Sequence, residues 1–273
     1  MPKIEMGPIG AVINPGEGNA FVDTAVELEE LGYGTIWLTG GPRSNLSQLA
    51  DVVRATKRAR VGSGIISVDR FGSAEVAALF TDLEATHPGH LIVGLGGAHG
   101  PNPLSTLTAY LDRLHSVPAK SRVMAALGPR MLDLARDRAA GAFPVLVTPE
   151  YTAWARSRVG ADTTLAVEQL VVVETDPERA RAIARGPLGF LGKVPAYQAS
   201  FRRMGFTDDE ITQLADRMVD ALVAWGDADS VAAVISRQLQ AGADHVAISV
   251  TSDAPQAQLV GRWRQLGERL IAA

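Results

Sequence analysis

Short, almost wholly apolar runs recur down this chain, each followed by a helical stretch with one apolar face, and that rhythm limits the folds open to it. The runs are Ile9–Ile13, Thr35–Thr39, Ala59–Val68, Leu91–Gly96, Val123–Leu127, Ala142–Thr148, Thr164–Glu174 and Asp244–Val250. Because they do not alternate polar with apolar, they read as strands buried on both faces, the habit of parallel sheets covered by helices. The first helix places Phe21, Ala25, Leu28 and Leu31 at spacings of four, three and three, which is one side of a helix. A second carries Leu46, Leu49, Val52 and Val53, with Ser44 or Asn45 as cap. A third opens at Ser73 with Glu75 close behind and carries Val76, Ala77, Phe80 and Leu83, and a fourth runs through Leu107, Tyr110, Leu111 and Leu114. Eight strand–helix units in 273 residues predict an α/β protein, a (β/α)8 TIM barrel in one domain (1–273), with ligands at the C-terminal ends of the strands. A doubly wound open sheet is the alternative, but no GxGxxG follows the first strand.

The rhythm breaks once. About 70 residues separate the seventh and eighth runs, far more than one crossover helix needs, so an insertion is expected there, roughly at 187–230. It holds Tyr197, Phe201, Arg202 and Arg203, candidates for a lid, then a helix through Ile211, Leu214, Met218, Leu222 and Trp225. Glu210, Asp227 and Asp229 read as caps and first-turn acids.

A net charge of −4 with no run of Lys or Arg argues against nucleic acid or an anionic membrane as partner. The chain has no cysteine, which excludes disulfides, zinc–thiolate sites and thiol nucleophiles. No histidine–carboxylate spacing suggests a metal. No window approaches a membrane span, and the N-terminal residues lack the apolar core of a signal peptide, so a cytoplasmic protein is expected.

The stretch Ala125–Gly141 is the clearest candidate for a binding site. An apolar run stops at Gly128 and Pro129, and a helix begins with Met131, Leu134 and Ala135 on one face. Pro129 suits the first helical position, while Gly128 leaves neighbouring N–H groups uncovered. Such a helix start favours an anion, and Arg130 adds a charge-assisted bond. The same sequence also opens ordinary helices.

Taken in order, LEELGYGTIWLTGG, RARVGSGIISV, HPGHLIVGLGGAHGPN and ALGPRMLDLARDRAAGA resemble the bacterial luciferase-like superfamily, specifically its flavin- and F420-dependent oxidoreductases. The tail WGDADSVAAVISRQLQAGADHVAIS fits too, so the resemblance runs essentially end to end. It implies a third strand that bulges into the barrel at a non-prolyl cis peptide, here Gly64–Ile65, to support the cofactor ring. It implies close approach of the cofactor at Gly96 and Gly97, a hydrogen bond from Asn102, and a phosphate loop at Leu127, Gly128, Arg130 and Met131. His99 falls where some relatives carry a carboxylate and becomes the candidate general acid or base. His87 and His90 read as structural capping residues, and Trp37 as core. One departure is plain: many F420-dependent members end the second strand with a His, where this chain has Gly40 and Gly41.

The resemblance thus implies an F420-dependent oxidoreductase exchanging hydride with a small organic substrate, in a homodimer. An FMN-dependent monooxygenase and a non-catalytic cofactor-binding barrel are the alternatives.

Overall fold

A computed structural model describes residues 3–16, 18–41, 44–253 and 259–271. Its strands are β1 (Ile9–Ile13), β2 (Thr35–Thr39), β3 (Arg60–Gly64), β4 (Ile66–Ser67), β5 (Leu91–Gly96), β6 (Arg122–Met124), β7 (Gly141–Ala142), β8 (Thr164–Val173), β9 (Val223–Gly226) and β10 (His245–Val250). Every pairing between these strands is parallel. They run β10-β1-β2-β3-β5-β6-β7-β8, and β10 also pairs with β8, which closes the ring. With β4 continuing the line of β3 along β5, this is the expected eight-stranded parallel barrel with helices between strands.

The helices follow their apolar faces. Phe21, Ala25 and Leu28 are buried in helix Ala20–Glu30, and Val76, Phe80 and Leu83 in helix Ser73–Thr86. Helix Leu46–Ala55 begins in a capping box in which the Asn45 side chain accepts from the Gln48 amide and Gln48 accepts from the Asn45 amide.

Three segments differ from their sequence reading. The fifth run leaves the sheet after Met124, and the sixth forms a ladder only at Gly141 and Ala142, followed by one isolated bridge from Val145 to Glu168. Pro144, two residues on, has no N–H to give a ladder. The helix expected through Ile211 to Trp225 is broken. Leu214 adopts a left-handed conformation (φ 49°), splitting it into Asp208–Gln213 and Asp216–Leu222, and Val223–Gly226 becomes strand β9. β9 pairs with β8 along Leu170–Val173, above the point where the shorter β7 stops.

The floor of the barrel is packed solid. Trp37 is fully buried, as expected, and stacks on Phe143 at 4.4 Å between ring centroids. Its indole N–H donates to His245 Nε2 (3.0 Å), while His245 Nδ1 lies 2.7 Å from the Gly7 carbonyl. Space for these two rings comes from glycines on adjoining strands. A Cβ on Gly62 would collide with the Trp37 indole, and one on Gly10 would lie 2.6 Å from His245 Nε2. Ile4, Met6, Val12, Ile92, Val123, Ala140, Ala166 and Ala247 complete the layer.

Above the floor, the Gly64–Ile65 peptide bond is cis, as the resemblance implies, and β3 gives way to β4 there. Neighbouring strands make room for this bulge by omitting side chains. A Cβ on Gly40 would collide with the Ile65 carbonyl, and one on Gly94 with that of Ser63. The Ser63 hydroxyl and the Gly94 backbone bond one another across the strands at 2.8 and 2.9 Å.

Two outcomes follow from this packing. Gly94→Ala should destabilise the fold at the upper end of the roughly 1–3 kcal/mol typical of overpacking, because a backbone carbonyl is what must move; urea unfolding measures it. Burial lowers the His245 imidazole to about 4, below the ~6.5 of an unfolded chain. Between these values the unfolded state holds more protons, so stability rises with pH and is lost as pH falls from about 6.5 to 4. Wild type should lose up to roughly 3 kcal/mol more than His245→Gln over that window, read from urea midpoints.

Candidate functional site

At the barrel's C-terminal end, two helix starts face one groove. Helix Pro103–Arg113 begins after Asn102 and helix Pro129–Arg138 after Gly128, each with proline in its first turn. Pro101, Asn102, Pro103, Leu104 and Ser105 line one side, and Gly128, Pro129, Arg130 and Met131 the other, around a volume of about 540 Å³. Residues from two different loops, expected on separate grounds to meet a cofactor, are thereby brought together.

The groove's chemistry suits an anion. A Cβ on Gly128 would meet nothing within 4 Å, so the backbone there is open. The Gly128 carbonyl takes the N–H groups of Met131 and Leu132, at 3.1 and 3.0 Å, and no described residue accepts from the Arg130 amide. The Arg130 side chain is exposed and has no carboxylate partner among the described residues. First-turn amides and an unpaired guanidinium are what a phosphate oxygen bonds.

The loop is held from behind. The Leu127 carbonyl accepts from the Tyr151 hydroxyl (2.8 Å) and from Arg203 Nη1 (3.1 Å). Tyr151 lies on helix Pro149–Val159, Arg203 on helix Pro195–Arg203 in the long segment between β8 and β10, and the Arg203 guanidinium also sits over the Trp154 ring at 5.7 Å. Of the lid candidates, Phe201 is fully buried and Arg202 pairs with Asp208. These side chains pack rather than swing over the mouth. Glu210 and Asp227 do cap, accepting from Thr207 and Ser230.

Gly96 and Gly97 use their missing side chains within the protein. A Cβ on Gly96 would lie 2.8 Å from Ala125 Cβ and 3.1 Å from Ile65 Cδ1, and one on Gly97 2.6 Å from Ser67 Oγ. Gly97 also has a positive φ of 74°, which favours glycine.

His99 stands on the rim, its side chain 63% exposed. Its amide donates to Asp69 Oδ2 at 2.8 Å and its Nδ1 lies 3.1 Å from the same oxygen. Asp69, in the loop after β4, therefore orients the ring. Of Gly40 and Gly41, where the resemblance leads one to expect a His, Gly40 has no room for a side chain beside the Ile65 carbonyl, whereas a Cβ on Gly41 would meet nothing within 4 Å. His87 closes helix Ser73–Thr86, as expected of a capping residue.

A residue not singled out in the sequence stands inside the barrel. Glu168 is the lone acidic residue in the ten strands. It lies on β8 beside Ala247 of β10, two residues beyond Ala166 of the floor. Burial pushes its carboxyl up to about 7, against a hydrogen bond with Ser249 that favours the charged form. Its charge in turn helps burial raise the Tyr197 phenol. An acid inside TLAVEQLVVV was the available signal.

Comparison with known proteins agrees with this geometry. Residues 8–106 match the model of the luciferase-like monooxygenase family. The uncharacterized protein YvbT of Bacillus subtilis (strain 168) is 34% identical over 91 residues; the match covers 31% of this chain and only 27% of that protein. Among solved structures, the coenzyme F420-dependent tetrahydromethanopterin reductase from Methanopyrus kandleri has a TM-score of 0.74 at 15% identity, covering 98% of this chain and 99% of that one. The oxygenating constituent of 3,6-diketocamphane monooxygenase from Pseudomonas putida, in complex with FMN, has a TM-score of 0.68 at 12% identity, with 98% and 99% covered. Likenesses at such low identity bear on the fold, and they extend it over nearly the whole chain. Residues 8–106 thus resemble the luciferase-like monooxygenase family, on a closed parallel barrel of the kind these solved structures share.

Proposed function

We propose that this chain is an oxidoreductase that uses the deazaflavin F420 on a small organic substrate. The observation that carries the reading is the groove in which Asn102, Gly128, Arg130 and Met131 meet. The Arg130 amide, which no described residue accepts from, and the unpaired Arg130 guanidinium fit a phosphate, and the Asn102 side chain adds a donor and an acceptor. The groove runs on from Arg130 to Pro101–Ser105, room beyond the phosphate for an anionic tail, which F420 has and FMN lacks.

The remaining parts have roles on this reading. Gly64 and Ile65 form the bulge against which a flat ring would rest, with Gly96 and Gly97 shaping the wall beside it. Leu127 keeps the phosphate loop in place through the bonds that Tyr151 and Arg203 give its carbonyl. When bound, the deazaflavin would supply hydride chemistry; the protein supplies orientation and exclusion of water. His99, oriented by Asp69, is the acid–base group of the rim.

Fluorescence-quenching titrations with F420 and with FMN test the proposal. F420 is expected to bind, and Arg130→Ala to weaken it about tenfold, the worth of one charge-assisted hydrogen bond of ~1.5 kcal/mol. Binding of FMN without F420 would replace the reading with an FMN-dependent monooxygenase. Binding of neither would leave a non-catalytic barrel.

A further inference from the structure

Glu168 has no part in the groove, yet its surroundings are those of a working group. Its strand neighbours on the same inward face belong to two different apolar clusters, Ala166 to the barrel floor and Leu170 to the cluster built from the segment between β8 and β10. A carboxyl between two apolar layers is costly to ionise, and no Lys or Arg forms an ion pair with it among the described residues. Its polar neighbours are two hydroxyls. Ser249 on β10 bonds it, and Tyr197, on helix Pro195–Arg203, is close enough to feel its charge. The Tyr197 hydroxyl has no other partner among the described residues.

Glu168, Ser249 and Tyr197 each keep some exposure, and on β8 Glu168 stands on the C-terminal side of the floor residue Ala166. Other charged or titratable groups on the elements packed here are occupied elsewhere. His245, lower on β10, is held by Trp37 and Gly7, Arg202 by Asp208, and Arg203 by Leu127.

We propose that Glu168 is the interior proton-holding group of this protein, exchanging a proton with a small molecule seated at the barrel mouth beside Ser249 and Tyr197. On the oxidoreductase reading, on which this role rests, the chemistry balances simply. A substrate that receives a hydride from a reduced deazaflavin gains two electrons and one hydrogen; the Glu168 carboxyl gives the accompanying proton to the atom left with the electron pair. The product carries two added hydrogens, and the carboxylate recovers its proton from water. In the reverse direction the carboxylate accepts the proton. Such a group works best when it titrates near the operating pH.

The test uses the cofactor-free protein. In protein labelled with ¹³C at the glutamate carboxyl carbon, one resonance, identified by its loss in Glu168→Gln, is expected to titrate near pH 7 while exposed glutamates titrate near 4.5. Ser249→Ala should move that midpoint upward, because the lost hydrogen bond favours the charged form. At pH 7 a water-soluble carbodiimide with glycine ethyl ester should label Glu168, located by peptide mass spectrometry, because the reagent needs a protonated carboxyl it can reach.

A midpoint in the ordinary carboxylate range would overturn the proposal, since Glu168 would hold no proton at neutral pH. Absence of label would overturn it also, since a carboxyl sealed from the mouth meets no substrate. Urea midpoints give a second view should the label perturb the fold. Wild type should lose stability between pH 5 and pH 8, where the folded state holds the extra proton, and Glu168→Gln should not. If F420 fails to bind while these results hold, the oxidoreductase reading falls and the proton site stands.

Discussion

A closed eight-stranded barrel encloses a volume that side chains have to fill, and here the filling is organised by one buried pair of rings, Trp37 and His245. The indole is too large for a uniform layer, so the adjoining strand yields at Gly62, while the imidazole requires Gly10. Each ring nitrogen has a partner, which keeps the polar atoms of this floor from adding the cost of an unsatisfied buried group. With one end closed by packing, the opposite end carries the loops and the openings. Chemistry is placed where the strands' C-terminal ends leave space, as barrel geometry dictates.

The same rule of large beside small operates higher up, with backbone in place of side chains. The bulge between β3 and β4 presses its carbonyls toward the strands on either side, and Gly40 and Gly94 accept them. A side chain at Gly40 and this close approach exclude one another. The titratable groups nearer the mouth stand on other elements, Glu168 on β8 and His99, beside Asp69, on the rim.

Much of this was legible in the sequence because it rests on local rules. Unbroken apolar runs gave the parallel strands, and spacings of three and four gave the helices. Gly128–Pro129 marked a helix start whose groove the structure then showed to be shared with Asn102. What escaped depends on contacts between distant residues. Leu214 in a left-handed conformation breaks a pattern whose apolar spacing is otherwise continuous, and no local rule forbids helix at Val223–Gly226; that strand exists because β8 offers an unpaired flank. Glu168 was visible as a letter, but its meaning lies in Ser249 and Tyr197, 81 and 29 residues away along the chain. Similarly, Asp69 becomes the partner of His99 only when the loops after β4 and β5 meet.

Strand β9 carries a consequence for how such a protein diversifies. The segment between β8 and β10 is registered to the barrel by ladder bonds along Leu170–Val173, and through Arg203 it also reaches the Leu127 carbonyl. A segment fixed by backbone rungs is a poor hinge but a good template. Its side chains can drift, changing which molecules the mouth admits, while the rungs hold their carrier in place. Point substitution along its helices is therefore an open evolutionary route, whereas wholesale exchange of the segment has to import its own counterpart of Val223–Gly226.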